Sequence, residues 1–460
     1  MIDFATVVPS RSCRNDEKLV AHIMQYMRRA LQELPTMPLL DILLLTIKDN
    51  QYALLLLKNP NLPLSHTSYM LRLLELMNIF LAYCEPGTGF VAEALLYRAA
   101  IAFLYRQDEH AIFNYQLVGE INPALGRMFM GGVVGQMAQM RLLNRPKNEF
   151  NNAMLILPIM ADVRCNSKAP YGRLLRPTWS LPKDASFVRE RPFVRLLIAD
   201  RHVRCDYCLA YAPFTLIPCR SCSLVMYCST RCYDRAQNEY HKVECSLGSI
   251  LRSQFGNAEF LAARVTIRLY HLFNDIDVLT TYIRNLPRSI PHASYEIPGG
   301  VAGRFAEESY MKLYFLATNR SKLSRAELKR DGINACKIAQ MIQRHLNLGN
   351  GELLLAELMV RHLQIARTNA LTLYRAVDDP AVAAPAAPGN TPFAMVLTTT
   401  GSMFNHSNEP NVDYTLAVDG AIAFKTKRNI PRDEQLFINY CGGRKRGISP
   451  GKKSAVGQTV

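Results

Sequence analysis

Apolar residues recur every three or four positions through the first third of the chain. Residues 17–33 (EKLVAHIMQYMRRALQE) place Leu19, Val20, Ile23, Met24, Met27 and Leu31 on one stripe, the spacing of an amphipathic helix. Residues 67–83 (TSYMLRLLELMNIFLAY) read the same way. Residues 90–106 predict another helix, with Ala99, Ala100 and Ala102 on one side where a neighbour can pack closely. Asp108-Glu109 interrupts the pattern before a further helical stretch at 110–118. Ala99 and Phe103 match one fragment of a tetratricopeptide signature, although no clean repeat of about 34 residues follows. The pattern predicts a helical, tetratricopeptide-like region over residues 1–145.

Near residue 150 the periodicity changes. Residues 153–163 and 172–197 are short apolar runs broken by Pro and Gly, which read as strands. Residues 249–377 return to helical spacing, for example at 257–273 and 351–374. Residues 378–392 (DDPAVAAPAAPGNTP) are rich in Pro and Ala and mark a loop. Short strand-like runs resume between 393 and 440. Val418-Asp419-Gly420-Ala421 is a hairpin signal, because Asp-Gly readily supplies the positive φ of a tight turn. The predicted fold class is α+β.

Composition adds limits. A chain of 460 residues has room for two or three domains. Its first residues lack a basic start followed by a long apolar run, so a secretory leader is not expected. The most apolar stretch, residues 39–57, is interrupted by Asp41, Lys48, Asp49 and Asn50, whereas a membrane-spanning helix needs about 20 mostly apolar residues. The expectation is an intracellular protein, cytoplasmic and nuclear, with no membrane partner. The net charge of +16 favours acidic partners such as nucleic acid or acidic protein faces. That charge is diffuse, so nucleic acid ranks behind protein as a partner. The one dense group, Arg444-Lys445-Arg446 with Lys452-Lys453, leads into a basic flexible tail expected over residues 446–460.

Seven of the twelve cysteines fall within residues 205–245. Such clustering in a reducing compartment points to metal rather than disulfides. Cys13, Cys84, Cys165, Cys336 and Cys441 each stand alone and read as small buried hydrophobes. The candidate ligands are Cys205, Cys208, Cys219, Cys222, Cys228, Cys232, His241 and Cys245. Zinc takes four soft or borderline ligands in a tetrahedron. A two-residue gap lets both thiolates of a pair reach one ion from a tight turn. A three-residue gap sets two ligands one helical turn apart, as at Cys228/Cys232 and His241/Cys245. Four pairs make two complete structural zinc sites. With four protein ligands each, neither has the open position that zinc catalysis needs. Spacing alone leaves open which pairs share an ion.

This segment resembles the MYND finger over residues 205–245. The resemblance implies interleaved sites, one from Cys205, Cys208, Cys228 and Cys232 and one from Cys219, Cys222, His241 and Cys245. His202 lies outside the pattern and reads as a surface residue. With GRLLRPTWSLPKDASFVRERPF upstream and NHSNEPN and INY downstream, the chain looks like the SET and MYND domain family of protein-lysine methyltransferases. In that family the finger interrupts a split SET domain. The resemblance implies an N-terminal SET part at 150–200, the finger at 205–245, a helical insert at 249–377 and a C-terminal SET core at 390–445. It implies S-adenosyl-L-methionine as cofactor, held by Gly172, Arg173, Asn369, Asn405, His406 and Tyr440. Tyr440 would stand at the catalytic end of the lysine channel. The implied partners are a protein substrate with a target lysine and proteins docked on the finger, proline-containing peptides among them.

The chain departs from the family pattern at three places. Leu174 replaces the second glycine of Gly-Arg-Gly. Asn408 replaces the cysteine after Asn405-His406-Ser407, and no cysteine follows Cys441, so the family's third zinc site is not expected. A catalytically weak scaffold that binds partner proteins is the alternative reading.

Overall fold

The computed structural model describes residues 67–84, 86–144, 174–286, 306–349, 351–375 and 391–440. The first block contains α1 (Thr67–Tyr83), α2 (Gly89–Leu104), α3 (Asp108–Ile121), α4 (Pro123–Gly131) and α5 (Val133–Leu143). The stripe at 67–83 forms the helix that its spacing predicts. Ala99, Ala100 and Ala102 are buried along α2. Asp108-Glu109 is a correction to the sequence reading, since the pair opens α3 instead of preceding it. Unpaired N–H groups and the positive end of the helix dipole favour carboxylates in a first turn. The helix at 17–33, the strand at 153–163 and the basic tail lie outside the described residues.

A buried polar cluster docks these helices on the loop at 202–216. Arg98 donates from Nε to Asn114 Oδ1 (2.7 Å), and from Nη1 to Asn78 Oδ1 and the Leu216 carbonyl (both 2.8 Å). Asn78 in turn donates to the carbonyls of His202 and Pro213, and Asn114 to that of Phe214. Burial pulls the Arg98 guanidinium below its usual range, because a low-dielectric site disfavours the charged form. His202 is half-buried in this joint, which corrects its reading as a surface residue.

The second block opens with β1 (Ser186–Glu190) and β2 (Val194–Leu197). The finger follows, with β3 (Ile217–Pro218), β4 (Met226–Tyr227) and α6 (Thr230–Ala236). A π-helical turn, Gln237–His241, leads into α7 (Lys242–Gln254), α8 (Asn257–Phe273), α9 (Ile276–Arg284), α10 (Ala306–Tyr314), α11 (Arg325–Leu346) and α12 (Glu352–Asn369). The strands β5 (Leu371–Tyr374), β6 (Pro392–Leu397), β7 (Asn405–His406), β8 (Val412–Leu416), β9 (Ile422–Thr426) and β10 (Phe437–Ile438) complete the order. Helix α8 has the bounds that its apolar spacing predicts. Residues 371–374 do not continue α12, as the helical reading of 351–374 had it. Leu371 and Leu373 are buried while Thr372 and Tyr374 are less so, a period of two that suits the strand paired with β6. Within 172–197, only β1 and β2 are strands among the described residues.

Strand pairing joins distant parts of the chain. Antiparallel β1 and β9 set Glu190 opposite Ile422. Antiparallel β2 and β6 set Val194 opposite Leu397, and β5 covers the other side of β6. Strands before residue 200 are therefore completed by strands after residue 370, and the finger with α7–α12 lies on the chain between them. Two apolar cores result. One packs the helices against the finger, and the other fills the sheets around Phe404 and Phe424, whose rings stack at 4.6 Å. Among the described residues, no helix is long and apolar enough to cross a membrane. Cys84 is buried as expected, but Cys336 is exposed on α11 and corrects the reading as a buried hydrophobe.

The β8–β9 turn forms at the Asp-Gly signal, with Gly420 at φ +79°. A Cβ on Gly420 would also lie 2.9 Å from the Cys208 carbonyl oxygen. Positive φ alone makes a side chain cost about 1–2 kcal/mol, and the blocked approach adds to it. Gly420→Ala is expected to destabilise the protein by about 2–3 kcal/mol, read as a lower urea midpoint. An unchanged midpoint would contradict this packing.

Candidate functional site

The eight sequence-predicted metal ligands converge into two groups. Cys205, Cys208, Cys228 and Cys232 form one, and Cys219, Cys222, His241 and Cys245 form the other. Within each group the ligand atoms lie within 4.8 Å of one another. A tetrahedral ion with metal–sulfur bonds of about 2.3 Å requires sulfurs about 3.8 Å apart. The observed separations are 3.6 Å for Cys208–Cys228 and Cys228–Cys232, and 3.9 Å for Cys219–Cys245. His241 Nε2 lies 3.3 Å from Cys219 Sγ and 3.5 Å from Cys222 Sγ. The donor sets therefore fit zinc in spacing and in chemistry.

Local structure explains the convergence. Leu209, after the first Cys pair, takes φ +65° and donates its N–H to the Cys205 carbonyl, closing a tight knuckle. Its side chain is fully buried in the sheet core. Ser229 caps α6 by accepting from the Cys232 N–H, which aims Cys228 and Cys232 at the first knuckle. The π-helical turn brings His241 and Cys245 to the second pair.

One arginine braces this finger against the rest. Arg264 on α8 donates to both Glu244 oxygens (2.8 and 2.6 Å) and to the Arg195 carbonyl (2.6 Å). It also pairs with Asp206 at 3.3 Å and lies over the Tyr240 ring. Asp206, Tyr240 and Glu244 each adjoin a metal ligand in sequence. Burial raises the Glu244 carboxyl, and the Arg264 charge opposes that rise.

A second polar group gathers where parallel β7 and β10 meet. His406 Nδ1 accepts the Tyr440 N–H at 3.1 Å, and the two rings lie 5.1 Å apart. Because Nδ1 accepts, Nε2 carries the ring proton, which is directed at Asn408 Oδ1 at 3.3 Å. Asn408 thus holds the imidazole at the position where a cysteine was the family expectation. Tyr440 Oη donates to the Phe404 carbonyl at 2.5 Å, and burial pushes its phenol up to about 12. Asn369 ends α12. Its amide donates to the carbonyls of Ala317 and Ile365, and its own carbonyl accepts from Ser402 Oγ at 3.1 Å. Ser402 lies three residues before Asn405, so Asn369 is tied to the same corner. Gly172 and Arg173 lie outside the described residues, and Leu174 just after them is buried.

Two supports escaped the sequence reading. Asn411 is buried and spans β10, accepting from the Phe437 N–H and donating to the Gln435 carbonyl. It closes the NHSNEPN stretch, where its residue type alone signals no such role. Glu190 is a buried carboxylate at the end of β1, and its setting between Arg189 and Arg191 gives no local signal of burial.

A family model for the SET domain matches residues 223–441. The chain is similar to protein-lysine N-methyltransferase SMYD4 of Mus musculus, 41% identical over 73 residues, or 16% of this chain and 9% of that protein. SMYD4 of Gallus gallus is 39% identical over 54 residues, covering 12% of this chain and 7% of that protein. SMYD4 of Danio rerio is 30% identical over 130 residues, covering 25% and 16%. These matches support a likeness to the SET and MYND domain family over part of the chain. The alignments span at most 16% of the lengths of these three relatives. The SET match takes in Asn369, Asn405, His406 and Tyr440, together with the ligands from Cys228 onward.

Proposed function

We propose that the chain is an S-adenosylmethionine-dependent protein-lysine N-methyltransferase. In this reading a MYND-type finger holding two structural zinc ions interrupts a split SET fold and docks partner proteins, proline-containing peptides among them. The convergence of Asn369, Asn405, His406 and Tyr440 at one corner of the SET-matched region carries the reading.

The corner suits a sulfonium nucleoside that bears an amino acid. Both N–H groups of the Asn369 amide are engaged by carbonyls, so Oδ1 remains to accept from a ligand ammonium or hydroxyl. His406 and Asn405 stand on the adjoining strand. The cofactor supplies the methyl group when bound. Tyr440 governs the amine. Its proton is committed to the Phe404 carbonyl, so Oη offers only lone pairs. It can accept an N–H of lysine but cannot donate to the amine lone pair, which stays free for in-line attack. A positioned pair of reactants lowers the barrier through prepaid orientation.

Titration of the purified protein with S-adenosylmethionine by calorimetry tests the reading, and absence of binding would reject it. Tyr440→Phe is expected to lower kcat about 100-fold, the scale of losing one well-placed polar contact. Methylation of a lysine substrate should rise with pH from 7 towards the free amine value of about 10.4, since only neutral amine attacks. Tyr440, protonated up to about 12, should impose no fall within that range. A descending limb below pH 10 in stable protein would contradict the assigned role.

A partner-binding scaffold on the same fold is the second reading, favoured by Asn408 standing where a metal-binding cysteine was expected. It requires that Tyr440→Phe leave function intact while Cys219→Ser abolishes partner capture.

A further inference from the structure

The geometry points to Glu190 as a positioning residue that sets the cofactor corner from a strand about 210 residues earlier in the chain. Its carboxylate is buried, and Oε1 accepts from the Thr399 N–H (2.6 Å) and Thr399 Oγ1 (2.5 Å). The Thr400 N–H is shared between Oε1 and Oε2 at 3.1 and 3.0 Å, and Gly401 N–H donates to Oε2 at 2.9 Å. Three successive backbone amides and one hydroxyl thus converge on one anion. Such a run of inward N–H groups has no ladder partner and is stabilised by a negative charge.

The turn it closes is short of space. A Cβ on Gly401 would come within 2.5 Å of both the Phe424 ring and Thr398 Oγ1. The turn therefore has a single seat, and Glu190 holds it there. Everything attached follows. Ser402 Oγ binds the Asn369 carbonyl. Phe404 stacks on Phe424 and offers its carbonyl to the Tyr440 hydroxyl. Asn405 and His406 come next on β7. One carboxylate on β1 thereby registers three groups that are far apart in sequence, without touching the reactants itself.

This inference rests on the methyltransferase reading for its functional meaning, but its structural content can be tested separately. Glu190→Gln keeps the shape, yet its amide N–H groups would face backbone N–H groups. In the full-length zinc-loaded protein, amides 399–406 and 438–440 are expected to exchange hydrogen at least 10-fold faster, with β8–β9 amides unchanged. Affinity for S-adenosylmethionine should fall about 10-fold, and kcat at saturating cofactor should fall less. Glu190→Asp, which keeps the charge, should recover part of both effects. Uniform loosening of all strands, or no local change, would overturn the positioning role. Wild-type protein that fails to bind S-adenosylmethionine would reject the methyltransferase reading, and the exchange pattern alone would then decide the role of Glu190. Should Glu190→Gln not fold, Thr399→Val removes one donor and must still raise exchange locally.

Discussion

Cys219→Ser, or chelation of the bound metal, is expected to unfold the finger and the parts of the protein that lean on it. Each structural zinc site contributes roughly 10–16 kcal/mol of apparent binding free energy, which is also folding free energy. A whole domain is typically stable by only about 5–15 kcal/mol, so losing one ion removes most of the margin. The interleaving makes the loss non-local. One ligand group sets Cys205 and Cys208 against the start of α6, and the other sets Cys219 and Cys222 against the π-helical turn and α7. Neither half of the finger retains its geometry without both. Elemental analysis should find two zinc ions per wild-type chain and at most one after Cys219→Ser. Thermal unfolding should shift down by tens of degrees or lose its cooperativity. A metal-free purified protein, or an unchanged transition after chelation, would defeat the assignment.

Arg264→Met is expected to cost about 3–5 kcal/mol, the scale of breaking a buried ion pair from one side. The guanidinium answers Glu244 and Asp206, both buried. Without it, Glu244 loses both guanidinium hydrogen bonds in a low-dielectric site, and Asp206 keeps only the more distant Arg252 at 4.0 Å and the Tyr240 hydroxyl. A thioether restores the volume but none of the hydrogen bonds, including that to the Arg195 carbonyl on β2. Urea unfolding at neutral pH measures the loss. A double variant with Glu244→Gln should lose less than the sum of the single changes, because the two groups act on each other. A loss below about 1 kcal/mol would place the brace outside the folding energetics.

The sequence carried local structure well and distant contacts poorly. Helices α1 and α8 stand where their apolar spacing placed them, although α8 is buried on every side from Glu259 to Ile267 and not along one stripe alone. The metal ligands were readable as residue types at short spacings. Their sorting into two interleaved groups came from family resemblance, since no local rule links Cys205 to Cys228. At 371–374 the helical reading ran too far, because Leu371 and Leu373 satisfy two periods over so short a stretch. Asp108-Glu109 interrupts the apolar spacing, yet a carboxylate pair is also what a helix N-terminus favours. Glu190 and Arg264 were invisible as supports. The Thr400 amide lies 210 residues from Glu190, and nothing near either residue announces the other. A buried charge reveals its purpose only when its partners are in place.

The joint between the helical block and the loop at 202–216 has an unusual make-up. Every hydrogen bond described for Arg98 ends on a neutral amide or carbonyl oxygen. Dissolved ions weaken attraction between opposite charges over a Debye length of about 8 Å at physiological ionic strength, but they have little purchase on this seam. The helices should stay welded to the finger from dilute buffer to molar salt, so a partner gripping one would in effect be holding the other.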